Sequence, residues 1–225
     1  MLGLSSRTVA KWRALTATDH APPALCPICT AGAMDGVTAG SYAYLLGQYL
    51  GDGHLVTSAR VPVLRISACT DYPRIAADIR DAIVSVRGTV PGGVHGSHSD
   101  RLLNIQSYWT HWPCLLPQHG PGRKHERPIV LADWQRTIVK EHPWSLIRGL
   151  IHSDGCRATN RVVVHGKAYQ CPRYFFSNES VDIQAIFTAA LDQVGVPWRN
   201  NRANSVSIAR RAGVARMDEH VGPKR

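Results

Sequence analysis

Apolar and polar positions change period several times along this 225-residue chain. Residues 44–53, "YLLGQYLGDG", form an apolar helical stretch interrupted by Gly47 and Gly51 and ended by Asp52-Gly53. An interior glycine costs a helix roughly 1 kcal/mol relative to alanine, so these two need a compensating contact. Leu64, Ile66 and Ala68 then alternate with Val63, Arg65 and Ser67, the period of a half-buried strand. Ile75, Ile79, Ile83 and Val86 return at helical spacing behind Pro73, which suits a first turn. "DRLLNIQSY" alternates again and reads as a strand.

The order then repeats. "LIRGLIHSDG", residues 146–155, matches the first decapeptide: Gly149 answers Gly47, Ser153 answers Gly51, and Asp154 stands 102 residues after Asp52. Two strands around a turn at Gly166 follow, and then a helix with Ile183, Ile186, Phe187, Ala190, Leu191 and Val194 on one side. Two short strands in "VPWRNNRANSVSIA" and a helix near "VARMDEHVG" close the chain. Each half reads as helix, strand pair, helix, strand pair, helix, which predicts an α+β protein of two αββαββα repeats. The expected division is an extension over 1–40, repeats over 41–117 and 143–225, and a Pro-, Gly- and charge-rich linker over 118–142. The linker's "GPGRK" lacks the strand and glycine spacing of a phosphate-binding loop.

If the two motif helices pack together, Gly47, Gly51, Gly149 and Ser153 share the interface and allow close backbone approach. That packing brings Asp52 and Asp154 together at helix ends that are already negative. Two such carboxylates repel unless a cation joins them, and hard oxygen ligands suit Mg²⁺.

"LLGQYLGDG" at 45–53 and "IRGLIHSDG" at 147–155 resemble the motif of LAGLIDADG homing endonucleases, and two copies resemble the monomeric form with an internal pseudo-two-fold. The stretch from "PQHGPGRKHERPI" to "RRAGVARMDEHVGPK" also resembles actinobacterial LAGLIDADG-containing proteins, some described as transcriptional regulators. The resemblance implies two saddle-shaped antiparallel sheets over duplex DNA. It also implies Mg²⁺ or Mn²⁺ on Asp52 and Asp154 with backbone help from Gly51 and Ser153, and metal-dependent cleavage of both strands. Family members commonly add a strand lysine in each half; here Lys167 is the one candidate, with Arg65 or Arg101 as first-half substitutes. Position six of each motif, acidic in many members, holds Leu50 and His152.

Charge agrees with a polyanionic partner. The net charge is +10, of which residues 113–225 carry +8. On "RLLNIQSY", Leu103 and Ile105 are expected to face the core while Asn104 and Gln106 point outward, where both can read adenine. Arg157, Thr159, Arg161 and His165 are expected on one outward face, with Arg173, Arg202 and Asn204 as further DNA-binding candidates. Arg210 and Arg211 suit phosphate contacts. "LSSRTVAKW" at 4–12 resembles half of a helix-turn-helix, and Cys26 and Cys29 in "CPIC" are half a zinc site, so zinc is not expected. No apolar run has the length of a membrane span, and no signal peptide is evident. The six cysteines read as reduced thiols in a cytosolic protein associated with the nucleoid. Two function classes follow: a site-specific DNA endonuclease, or a DNA-binding regulator on the same scaffold that does not cut.

Overall fold

The computed structural model describes residues 36–88, 95–99 and 101–224. The chain divides into two compact units, Met1–Ala33 and Met34–Arg225, and all of the described residues belong to the second. "LSSRTVAKW" and "CPIC" lie outside the described residues.

The first repeat runs α1 (Gly36–Leu50), β1 (Gly53–Val56), β2 (Val63–Cys69), α2 (Pro73–Arg87), β3 (His95–Ser99), β4 (Leu102–Tyr108) and the short α3 (Trp112–Leu115). The second runs α5 (Pro143–Asp154), β5 (Gly155–Val164), β6 (Lys167–Ser177), α6 (Val181–Gln193), β7 (Arg199–Arg202), β8 (Ser205–Ile208) and α7 (Arg211–His220). Between them α4 (Asp133–Glu141) forms inside the stretch expected as linker. The two four-stranded antiparallel sheets have equivalent orders, β1-β2-β4-β3 and β5-β6-β8-β7. This is the α+β, two-repeat saddle fold.

The alternation decides which sheet face is covered. Leu64, Ile66, Leu103 and Ile105 are buried on one side of the first sheet, while Arg65 is exposed on the other. In the second sheet Tyr174, Phe176, Val206 and Ile208 fill the same role. Each sheet therefore buries an apolar face against helices and leaves its other face open.

α1 is apolar almost all round, and from Tyr42 to Leu50 every residue is buried, as expected of a central helix. Its partner is α5. A Cβ on Gly149 would lie 2.2 Å from the Tyr44 carbonyl oxygen and 3.0 Å from the Gly47 Cα. A Cβ on Gly47 would lie 2.7 Å from the Leu146 oxygen and 2.8 Å from the Leu150 nitrogen. The obstructing atoms are backbone, so the helices touch along bare main chain. At the lower end a Cβ on Gly51 would meet the Ser153 side chain at 2.2 Å.

Polar links lock this pair and the linker helix. Gln48 Nε2 donates to Tyr44 Oη at 2.9 Å, and Tyr44 Oη lies 3.1 Å from His152 Nδ1 on α5. Burial pushes the His152 imidazole down to about 4, so the ring is neutral near pH 7 and its tautomer sets which partner donates. Gln135 of α4 donates to Tyr42 Oη at 2.6 Å, and Tyr42 donates to the Leu115 carbonyl at 2.6 Å. A fully buried glutamine thus ties α4 to α1.

Gly149→Ala is expected to destabilise the protein by about 2 kcal/mol, although alanine is the better helix former, because overpacking costs about 1–3 kcal/mol. Urea denaturation of parent and variant measures it, and a gain in stability would contradict helix contact at Gly149.

Candidate metal centre and nucleic-acid interface

The close packing of α1 on α5 carries the C-terminal ends of both motifs to one place. Asp154 is the last residue of α5, and Asp52 lies in the turn after α1. A Cβ on Gly51 would stand 3.0 Å from Asp154 Oδ2. Burial pushes the Asp52 carboxyl up to about 6, and repulsion from Asp154 adds to the rise, against the opposing pull of Lys224 and Lys124. Burial also raises the Asp154 carboxyl, opposed by a hydrogen bond from Asn178 Nδ2 to Oδ2 at 2.6 Å and by the same two lysines. The two carboxylates therefore share a partly desolvated space, beside an open cleft of about 370 Å³ lined by Leu50, Gly51, Lys124, Asp154 and Asn178 among others.

Two lysines close the helix ends. Lys124 Nζ donates to the carbonyls of Tyr49 at 2.5 Å, Leu50 at 2.9 Å and Gly51 at 2.7 Å. Lys224 Nζ donates to the Ser153 carbonyl at 2.7 Å. Burial lowers both, Lys124 to about 8, while the aspartates pull the other way. The Ser153 hydroxyl turns back into its own helix, donating to Gly149 and Leu150 carbonyls at 3.1 and 3.0 Å.

The donor chemistry fits a hard divalent cation: two mutually repelling carboxylates beside two backbone carbonyls are all oxygen. Among the described residues no group of three His, Cys, Asp or Glu gathers around one point, so the donor set rests on the aspartates and the main chain.

Lys167 sits elsewhere. Val164 pairs with Lys167 at the far end of the β5–β6 ladder, nine residue steps from Gly155, so it stands about 30 Å along the strand from Asp154. His165 and Gly166 both have positive φ, 47° and 74°, the two-residue turn that closes a tight hairpin. Arg101, the other candidate for the missing charge, lies in the β3–β4 turn and pairs with Asp71. Leu50 and His152, at motif position six, are both buried.

On the first sheet Arg65 pairs with His54 on one side and Gln106 on the other. Ser67 pairs with Asn104 and donates to its Oδ1 at 3.0 Å. Arg65, Gln106 and Asn104 thus lie together on the open face. The second sheet departs from expectation. Arg157 pairs with buried Tyr174, so it lies on the helix-covered face, where Asp218 of α7 holds it through two hydrogen bonds of 2.6 and 2.9 Å. Tyr174 donates to the same carboxylate at 2.7 Å. Arg157 is therefore a strut between sheet and helix, and Arg161 shares its parity, though near the hairpin tip both faces are exposed. The open face instead carries Cys156, Ala158, Arg173 and Phe175, with the Arg173 guanidinium 5.5 Å from the Phe175 ring. Arg202 ends β7 exposed, Asn204 donates to Glu179 at 2.6 Å, and Arg210 and Arg211 stand exposed at the start of α7.

Lys124, Lys224 and Asn178 join the site without belonging to either decapeptide. A signal for the lysines exists in the sequence. "GPGRK" ends at Lys124 and "GPK" at Lys224, 100 residues apart, near the 102-residue spacing of the aspartates. Gly122 and Gly222 both adopt positive φ, 78° and 71°.

Two helices joined by bare backbone, ending on a pair of repelling aspartates beneath two open sheets, define the two-motif LAGLIDADG fold. No protein-family model matches the sequence, and no curated protein matches it. Solved structures do. I-DmoI in complex with DNA and Mn superposes with a TM-score of 0.51 at 14% identity, over 82% of this chain and 97% of that one. Its complex with DNA and Ca gives 0.51 at 14%, over 82% and 90%. Full-length DUF199/WhiA from Thermotoga maritima gives 0.50 at 12%, over 84% of this chain and 57% of that one. Likeness at this identity establishes the fold.

A pH dependence follows from the carboxyl pair. The Asp52 folded-state value, about 6, exceeds the ordinary 3.8, so the folded protein holds the proton more tightly than the unfolded chain. In chelator, stability is expected to fall as pH rises from about 4 to about 6 and the carboxyl ionises against its surroundings. Asp52→Asn is expected to flatten that interval. Urea midpoints at several pH values measure it; an equal slope in parent and variant would contradict a strained carboxylate.

Proposed function

We propose that the chain is a site-specific DNA endonuclease that binds duplex DNA along its two open sheet faces and hydrolyses phosphodiester bonds with Mg²⁺ or Mn²⁺. One observation carries this reading: the fold brings two carboxylates together at the negative ends of two helices and raises both, an arrangement that a pure DNA binder does not need. Asp52 and Asp154 would hold the cation, with Gly51 and Ser153 offering main-chain oxygens. When bound, a divalent ion supplies Lewis-acid stabilisation of the charge that develops on phosphoryl oxygens.

The chain's own part is positioning. Arg65, Gln106 and Asn104 on the first sheet, and Arg173 and Arg202 on the second, orient the duplex, and Arg210 and Arg211 meet phosphates. The half-to-half inequality suits an asymmetric site: the register sets Arg65 against Phe175 and Gln106 against Ser207 in equivalent places. The structures of I-DmoI, which hold DNA together with Mn or Ca, support a duplex and a divalent ion as what this fold binds. The protein would act as a monomer, in the cytosol.

A second reading is favoured by a specific observation. Lys167 is remote from the aspartates, and lysines occupy the main-chain oxygens, which suits a DNA-binding regulator that does not cut. The likeness to WhiA is compatible with it.

Selection of bound and cleaved sites from random duplexes, with Mg²⁺ and with chelator, separates the readings. Asp52→Asn and Asp154→Asn are each expected to lower cleavage at least 100-fold while changing duplex affinity in chelator less than threefold. Binding without cleavage in the parent would leave the regulator. Affinity is also expected to fall steeply across a salt series, since several Lys and Arg contacts release counterions; a flat response removes nucleic acid altogether.

A further inference from the structure

A lysine recurs at the end of each motif helix, and the proposed chemistry gives neither one a role. Lys124 follows the last helix of the first repeat and returns to α1; Lys224 follows the last helix of the second and returns to α5. Each reaches the carbonyl of the residue immediately before an aspartate, Gly51 and Ser153, at the same 2.7 Å. Each emerges from a Gly-Pro-containing turn with a left-handed glycine. A lysine at one helix C-terminus is an ordinary cap, since the last carbonyls are unpaired and negative. Two, arriving from equivalent places onto equivalent atoms beside a carboxylate pair, form a repeated device.

The charge balance gives it a purpose. Both lysines act electrostatically on both aspartates while bonding to main-chain carbonyls, so the chain itself supplies two positive charges opposite the two carboxylates. Lysine suits this role: its ammonium is a compact cation on a flexible four-carbon stem, able to swing away without moving main chain. The carbonyls it covers are those that a hard divalent cation would take with the carboxylates.

We propose that Lys124 and Lys224 are resident cations of the aspartate site, seated on the Gly51 and Ser153 carbonyls, and that a divalent ion gains those oxygens only by displacing them. This rests on the reading of Asp52 and Asp154 as a cation site. It makes the parent a weak metal binder whose lysines are released as the ion enters.

The test is Mn²⁺ binding to the full chain, followed by the electron paramagnetic resonance signal of free Mn²⁺. Lys124→Met and Lys224→Met are each expected to bind Mn²⁺ at least tenfold more tightly than the parent, and the double variant more tightly still. Lys124→Arg and Lys224→Arg, which keep the charge, are expected to stay within threefold of the parent. In the parent, acetylation of Lys124 and Lys224 read by mass spectrometry is expected to rise when Mn²⁺ is added. Methionine variants that bind no more tightly than a binding parent overturn the inference and leave the cation site standing. So does unchanged acetylation of both lysines in Mn²⁺-bound parent. Absence of Mn²⁺ binding in parent and all variants overturns the cation site and the inference together. Circular dichroism confirms folding of each variant; if Lys124→Met does not fold, Lys224→Met, in the tail beyond α7, decides the question with the acetylation result.

Discussion

Everything at the centre of this molecule depends on two helices touching without side chains between them. The Gly149 and Gly47 contacts are backbone on backbone, and a single methyl group would enter the van der Waals space of the Tyr44 carbonyl. This closeness offsets the poor helix propensity of glycine and leaves no slack in register. The Tyr44–His152 hydrogen bond then fixes rotation about the seam with a neutral imidazole, avoiding a buried charge there. Both sheets are built outward from the ends of these helices, so the aspartates and the open faces inherit their positions from one contact.

That geometry is electrostatically uncomfortable. Burial opposes ionisation of both Asp52 and Asp154, and for Asp52 the charge of Asp154 adds to it, at helix ends that are already negative. Stability and chemistry are in tension here, as they are wherever a site concentrates like charge. The surroundings ease it unequally: Asn178 serves Asp154, while its register equivalent in the first repeat is Ala68, which offers no side-chain hydrogen bond. The two halves are similar in path and different in chemistry.

Much of the fold was legible because burial imposes a period. Leu64, Ile66, Leu103 and Ile105 alternate cleanly, and their parity placed Arg65, Asn104 and Gln106 on the open face. Parity failed at Arg157 for a physical reason. In "CRATNR" Cys156 and Ala158 alternate with Arg157, Thr159 and Arg161, so the strand's own pattern points the arginines outward; the covered side is set instead by Tyr174 and Phe176 across the ladder, and Asp218 satisfies Arg157 there. α4 was hidden because its face is read partly through Gln135, a polar residue that is buried by satisfying Tyr42 and Gln118. Of the central residues, Asp52, Asp154, Gly51 and Ser153 stand inside the repeated motif. Lys124 and Lys224 do not, since they return to it over more than 70 residues of chain, a closure that local pattern does not encode.

The β5–β6 hairpin pairs over ten residues where β1–β2 pairs over four. Counted from equivalent base pairs of the two ladders, Gly53–Ile66 and Gly155–Phe176, the second hairpin reaches about four residue steps, roughly 13 Å, beyond its counterpart. Laid along a duplex with about 3.4 Å between successive base pairs, that reach amounts to roughly four base pairs. Under the proposed binding along the sheet faces, two halves alike in path would cover DNA lopsidedly, the footprint running longer on one flank. Orientation on the duplex would be set by a difference in strand length as well as by any base it reads.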